Sequence, residues 1–311
     1  MTAQVAQTTS STRPTGGSGR PVWQEKPHAI VQGSKIIILA FSVIVMLYPF
    51  VHVISVSFSN PADYTPGDLL LWPKGFTTAA YKLILAGGIV PRALLVSVGI
   101  TVGGTLLSMF MTVTLAYGLS QTRRVPGSRF VLYMVLLSML FSAGVIPNYL
   151  LVRSLGLLNN YLSLILPGAI SAFNLVVIRN FFMSIPEELL DAARIDGAGE
   201  LQILARIVLP LSKAVLAVIA LFYGVGYWNA FFGAMLYLDH PRMWPVQLVL
   251  RQYVLQAEPL PGSVVENTGV RLTPETIQMT VLVLATVPIL IVYPFLQRFF
   301  TKGVLTGAIK G

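Results

Sequence analysis

Six long, predominantly apolar segments constrain this chain more than any other feature: Ile36–Phe58, Ala93–Leu119, Phe130–Val152, Leu162–Phe182, Ala214–Leu238 and Ile277–Phe299. About 20 helical residues cross a ~30 Å hydrocarbon core. Within lipid every backbone N–H and C=O must be paired inside the segment, which a helix does. The pattern therefore predicts an all-α, polytopic membrane protein with six transmembrane helices. It overrides the two soluble domains that 311 residues alone would suggest. Only 11% of the residues are charged and the mean hydropathy is +0.74, where soluble domains carry about 25% charge. Gly99 and Gly103, at GxxxG spacing in the second segment, read as ordinary close helix packing.

Residues 1–34 are rich in Ser, Thr, Gly and Pro without apolar periodicity, and read as a disordered tail preceding a membrane domain over 35–311. The tail does not read as a signal peptide, because the first apolar run starts late and is long enough to span. An even number of spans puts both ends on one side. The tail with the adjoining Lys35, the 121–129 loop, the 179–213 loop and the C-terminal end from Arg298 hold 14 of the 21 Lys and Arg residues, and the alternate loops hold 7. The positive-inside rule then predicts a multi-pass protein of the cell membrane with both termini cytoplasmic. The same scatter explains the net charge of +9 without nucleic acid.

No acidic residue occurs between Leu69 and Pro186 or after Glu275, and five of the twelve fall between Glu187 and Glu200. Proton-driven carriers need ionisable groups in the membrane, so this distribution argues against one while leaving sodium coupling through backbone carbonyls open. There is no cysteine, and His28, His52 and His240 are too separated to suggest a metal site.

The acid-rich stretch lies in a loop, SIPEELLDAARIDGAGELQILARIVLPLSK, from Ser184 to Lys213. Ser184 and Glu187 have capping-box spacing with Pro186 between them, which predicts a helix start. Gly197 suits the left-handed position that ends that helix. A second helix is predicted from Glu200 until Pro210. Leu189, Leu190 and Ala193 form an apolar patch on a first helix too short to stand alone. Docking into a separate cytoplasmic protein, packing within the chain and lying on the bilayer would each cover it. Bilayer-lying helices favour Lys and Arg, whereas this one is acidic, so docking is the favoured reading.

Asp191-Ala192-Ala193, three residues, Gly197, nine residues and Ile207-Val208-Leu209-Pro210 together resemble the EAA loop of binding-protein-dependent ABC importer permeases, with Asp191 in place of the family's glutamate. WPKGFTTAAYKLIL (Trp72–Leu85), FNLVVIRNFF (Phe173–Phe182), GYWNAFFGAMLY (Gly226–Tyr237) and VLTGAIKG (Val304–Gly311) resemble the carbohydrate branch, namely the second permease of maltose-type systems and of those handling complex, pectin-derived oligosaccharides. The resemblance implies an ABC type I importer permease fold, a homologous second permease, two cytoplasmic ATPase subunits and an extracytoplasmic solute-binding protein. It also implies that Glu187, Asp191, Ala192, Ala193, Gly197, Ile207, Leu209 and Pro210 form the ATPase-coupling site. The chain has no G-x-x-x-x-G-K-[ST] phosphate loop, so ATP and Mg are expected on the partner ATPases and no cofactor on this chain. It reads as a non-catalytic subunit.

A sugar pathway needs aromatic faces and hydrogen-bonding groups. Tyr223, Tyr227 and Phe231 recur at i, i+4 spacing in the fifth span beside Trp228 and Asn229, and Asn174 lies in the fourth span. Asn174, Tyr223, Tyr227, Trp228 and Asn229 are the pathway candidates, against the alternative that they only pack helices together. Asn148, beside Pro147, poses the same question. The outer 239–276 loop is long for a compact bundle, as a binding-protein dock or a lid would be. The C-terminal GVLTGAIKG would, by resemblance, contact the ATPase dimer. The rival readings are a same-family permease for a non-sugar solute, an ion-coupled secondary transporter, and a membrane hydrolase, which lacks a G-x-S-x-G elbow here.

Overall fold

The computed structural model describes residues 29–308 except 64, 66, 87, 142 and 257–272, with backbone alone described at 29, 255, 256 and 295–308. Residues up to Phe50 form one unit and residues from Val51 another. The described secondary structure is helical throughout. Helix α1 (Ala29–Ser57) begins inside the stretch read as tail, and the Ser34 hydroxyl within it bonds back to the Val31 carbonyl. The remainder of the predicted tail lies outside the described residues.

All six apolar segments are mainly helical, but only three are uninterrupted helices long and apolar enough to cross a membrane: α1, α3 (Ile89–Ser120) and the apolar part of the last helix, Pro274–Pro294. The other three are broken, each at a residue that explains the break. The third segment divides into α4 (Ser128–Leu140) and α5 (Val145–Ser154), separated by Gly144 with φ +85°, a conformation that favours glycine. The fourth comprises α6 (Leu162–Ile165), a 3₁₀ turn containing Pro167, and α7 (Ala172–Met183), bent by 52°. Pro167 lacks an N–H and Ser171 caps the next helix, accepting from Asn174 N. The fifth stops at Trp228 and resumes three residues later, as described below.

A short helix α2 (Ala79–Ala86) precedes α3. At 32 residues, α3 is about 48 Å long at 1.5 Å per residue, more than a bilayer core requires. Its far end therefore carries Tyr117 to the loop that follows α7. The main buried cluster lies where α3, α7 and α11 (Lys213–Trp228) meet and includes Ile100, Ala116, Leu175, Ile178 and Ile219. Small residues hold these helices close, because hydrophobic burial supplies little drive between helices in lipid. The glycine that does so is Gly104, not the predicted pair: a Cβ at Gly99 or Gly103 would meet nothing within 4 Å, whereas one at Gly104 would lie 2.9 Å from the Tyr227 ring. The GxxxG spacing identified a helix face but placed the contact one residue away.

At the opposite end, a second cluster joins Ala80, Val90, Ala93 and Trp228 to Val246 and Val249 of α13 (Val246–Gln256) and Val281 of α14 (Pro274–Ala308). Helix α13 lies in the outer 239–276 loop, which the sequence read as a binding-protein dock or a lid without a helix of its own. Its Val246 N–H donates to the buried Ser97 Oγ at 2.8 Å, about 12 Å along α3 from its start.

Candidate functional site

Two sites follow from this architecture, one at each end of the bundle. At the loop end, the chain leaves α7 at Ser184. The predicted capping box does not form: the Ser184 hydroxyl donates to Phe181 O at 2.7 Å and so ends α7, while Pro186 takes the N-cap position of α8 (Glu187–Ile195) without a side-chain cap. Glu187 and Glu188 still fall in the first turn of α8, where the helix dipole favours them. Gly197 closes the helix at φ +85°, in the left-handed conformation predicted for it.

The chain then turns into α9 (Glu200–Ile203), widens into a π-type turn over Leu204–Val208, continues through α10 (Leu209–Leu211), and bends by 87° into α11. The second helix ends at Leu211, one residue beyond Pro210, close to where the sequence put its end. The Pro210 ring would collide with the carbonyl four residues back and it has no N–H to give, and the wider turn just before it accommodates both defects.

The apolar residues of this loop divide into two faces. Leu190, Ile203, Leu204 and Val208 are buried in the main cluster with Leu175 and Ile178, and Ala193, Ile207 and Leu209 pack against it. Leu190 and Ala193 are thus covered by the chain itself, which corrects their assignment to a docking patch. The outward face carries Leu189, Ala192 and Glu188, with Ile195 at 87% and Leu201 at 80% exposure. Ile195 and Leu201, missed in the sequence, are the most exposed apolar residues of the loop.

Polar contacts strap this two-faced unit to the bundle. Arg194, with only 13% of its side chain exposed, donates to Asp191 Oδ1 at 2.8 Å, Glu200 Oε1 at 3.0 Å and Gln121 Oε1 at 3.3 Å. Arg124 donates to the same Asp191 oxygen at 2.8 Å, and the Tyr117 hydroxyl donates to Glu200 Oε2. Arg123 lies 3.9 Å from Glu187. Asp191 therefore faces its own chain. Arg194 beside Glu200 holds that carboxyl below its usual range, with burial opposing and Tyr117 assisting. Sequence reasoning passed over Arg194, although its i, i+3 spacing from Asp191 was a usable signal.

The second site lies in the fifth segment. Tyr223 and Tyr227 are buried between helices. The Tyr223 hydroxyl pairs with Thr112 Oγ1 at 2.7 Å and accepts from Ser171 N at 2.9 Å. Tyr227 pairs with Ser108 Oγ at 2.7 Å and donates to Ile165 O at 3.2 Å. Asn174 is buried on α7 and Trp228 is buried in the second cluster. Asn229, by contrast, is exposed at the end of α11, where its Nδ2 donates to Val225 O at 2.9 Å. Residues 229–231 interrupt the helix before α12 (Phe232–Tyr237). Across this break Arg251 of α13 places its guanidinium carbon 4.8 Å from the centre of the Phe231 ring. The five candidates are therefore not one cluster: Tyr223 and Tyr227 join helices, and Asn229 alone faces outward.

Residues 104–306 match the family described as binding-protein-dependent transport system inner membrane component. The chain belongs to this family. The permease is 46% identical over 275 residues to the polygalacturonan/rhamnogalacturonan transport system permease protein YtcP of Bacillus subtilis (strain 168), covering 88% of this chain and 96% of that one. It is 46% identical over 270 residues to protein LplC of the same organism, covering 86% and 90%. A solved bacterial ABC transporter involved in the import of the acidic polysaccharide alginate superimposes with a TM-score of 0.82 at 32% identity, covering 87% of this chain and 96% of that one. The permease thus has the type I importer fold and is a multi-pass membrane subunit of a family without catalytic activity of its own.

Proposed function

We propose that this permease moves a sugar or oligosaccharide into the cytoplasm as one half of an ATP-driven importer, with a homologous second permease, two ATPase subunits and an extracytoplasmic binding protein. Both termini and the 184–213 loop face the cytoplasm, and ATP and Mg sit on the ATPases. The carbohydrate names of its similar proteins support the substrate class. The observation that carries the coupling role is the division of the loop into a core-built face and an exposed apolar face.

A partner that draws the exposed face, with Leu189, Ile195 and Leu201, into a groove moves the loop. Because Leu190, Ile203 and Val208 are packed into the same cluster as α3 and α7, and because Tyr117 and Arg194 hold Glu200, that displacement passes to the spans as a rigid-body motion. Gly197, Pro210 and the π-type turn shape the loop, Glu187 and Asp191 brace it against the 121–124 turn, and Ala192 lets a groove wall approach. An ATPase that favours one loop position when closed around ATP shifts the bundle between inward-open and outward-open states by its differential affinity for the two.

The test is purification from native membranes in mild detergent, comparing the wild type with a variant lacking residues 187–199. The reading expects an ATPase that is lost in the deletion and a second permease that is retained, together with ATP-dependent sugar uptake by the wild type. A chain that purifies without an ATPase, or uptake indifferent to ATP, would overturn it.

A further inference from the structure

We infer that Arg251, laid over Phe231 at the break between α11 and α12, is a carboxylate-recognition site in the translocation pathway, and that the transported oligosaccharide carries uronate groups. This rests on the sugar-import reading above. Arg251 belongs to α13, whose first residue is bonded to the buried Ser97 of α3, so the guanidinium is carried by an element packed against the spans rather than by a free loop. An arginine carried among membrane spans marks a functional path unless it is paired.

Arg251 has no such pairing: the ion pairs among the described residues involve Lys74, Arg123, Arg124 and Arg194 only. Two of the described acids outside the 184–213 loop are already engaged, Asp68 by Lys74 and Asp239 by Asn159. The one described partner of Arg251 is the Phe231 ring. Resting over a ring orients the guanidinium without using any of its five N–H donors. Those donors form a fork that matches a carboxylate in bidentate fashion.

The surrounding backbone supports an aqueous path. Residues 229–231 interrupt the fifth apolar segment, with Asn229 exposed and Phe231 half-buried, and non-helical backbone within a span persists only where it is buried in protein or lines a water-filled cavity. Asn229 gives its Nδ2 to Val225 O, which leaves its Oδ1 free to accept from a sugar hydroxyl. An arginine on an aromatic ring and an adjacent amide acceptor suit one unit of an anionic sugar. A neutral sugar could take single hydrogen bonds from the guanidinium but not the charge-assisted, bidentate pair that a carboxylate makes.

Binding is measured on the assembled permease–ATPase complex in lipid nanodiscs without its binding protein, using tri-galacturonic acid and its neutral, fully methyl-esterified form as probes. The wild type is expected to prefer the acid about tenfold, the scale of one charge-assisted pair. Arg251→Gln should bind both probes at the ester's level, and Arg251→Lys should fall between. Arg242→Gln, which removes an exposed arginine from the Pro241–Met243 turn, should behave as wild type. The inference is overturned if Arg251→Gln keeps the acid preference, if both glutamine variants lose it equally, which would indicate a general positive field, or if Arg251→Gln breaks up the complex, which would indicate an acidic partner in the second permease. A wild type that does not prefer the acid, or that binds neither probe, removes this assignment alone, whereas the import reading falls only if sugar uptake proves indifferent to ATP.

Discussion

A methyl group added at Gly104 would enter space held by the Tyr227 ring, whose hydroxyl is fixed by Ser108 and the Ile165 carbonyl and so cannot swing aside. Gly104→Ala is expected to cost about 1–3 kcal/mol as an overpacked helix contact, read as an earlier thermal unfolding of the detergent-solubilised complex. Tyr227→Phe keeps the ring and removes only the hydroxyl, at roughly 0.6–1.7 kcal/mol, because polar groups left in lipid find other partners. Equal effects of the two substitutions would refute this ordering. Glu200 gives a pH dependence of definite sign. Its folded value is lowered from 4.5, chiefly by Arg194, so its contribution is complete above the ordinary value and is lost as the pH falls through the lower folded one. Amide exchange over residues 200–208, corrected for intrinsic rates, should stay level from neutral pH down to about 4.5 and rise only below it. A rise already at pH 6 would mean that some other group controls the loop.

At the scale of elements, the coupling loop behaves as a lever only while α8 and α9 stay locked together. Arg194→Ala removes the side chain that holds Asp191, Glu200 and Gln121 at once. It is expected to cost about 1–2 kcal/mol locally, since its two acidic partners are half-exposed, and to leave ATP hydrolysis running while sugar uptake falls. Proportionate loss of both activities would point to misassembly instead. Gly197→Pro imposes φ near −65° where the turn needs +85°, and should abolish uptake with membrane insertion unchanged. The boundaries of this loop were legible because Gly197 and the acidic first turn have local causes. The inward roles of Leu190 and Asp191 were not, because periodicity tells which residues share a face and is silent on what that face meets. Ser184 shows the same limit: its spacing to Glu187 fits a cap, yet its hydroxyl was claimed by the preceding helix.

For the whole molecule, the number of apolar segments and the family resemblance were readable along the chain, since a bilayer sets a length that any spanning helix must meet. The breaks at Gly144, Pro167 and Asn229 were harder to see, because interruptions are stabilised by neighbouring elements far away in sequence. Helix α13 was missed for the same reason: its support is Ser97, 149 residues earlier. Long separations of this kind also bear on how the protein is made. Ser108 and Thr112 meet Tyr227 and Tyr223 across 119 and 111 residues, so the second span must enter the membrane long before its partners exist. Until then its hydroxyls can turn back to carbonyls of their own helix, as Thr114 does to Phe110 in the finished fold. Biogenesis then becomes an exchange of bonds, inward to outward, that completes only when the fifth segment arrives. A ribosome-arrested chain ending before Lys213 would carry an inserted but unlocked second span, exposed to the membrane's quality-control proteases until synthesis resumes.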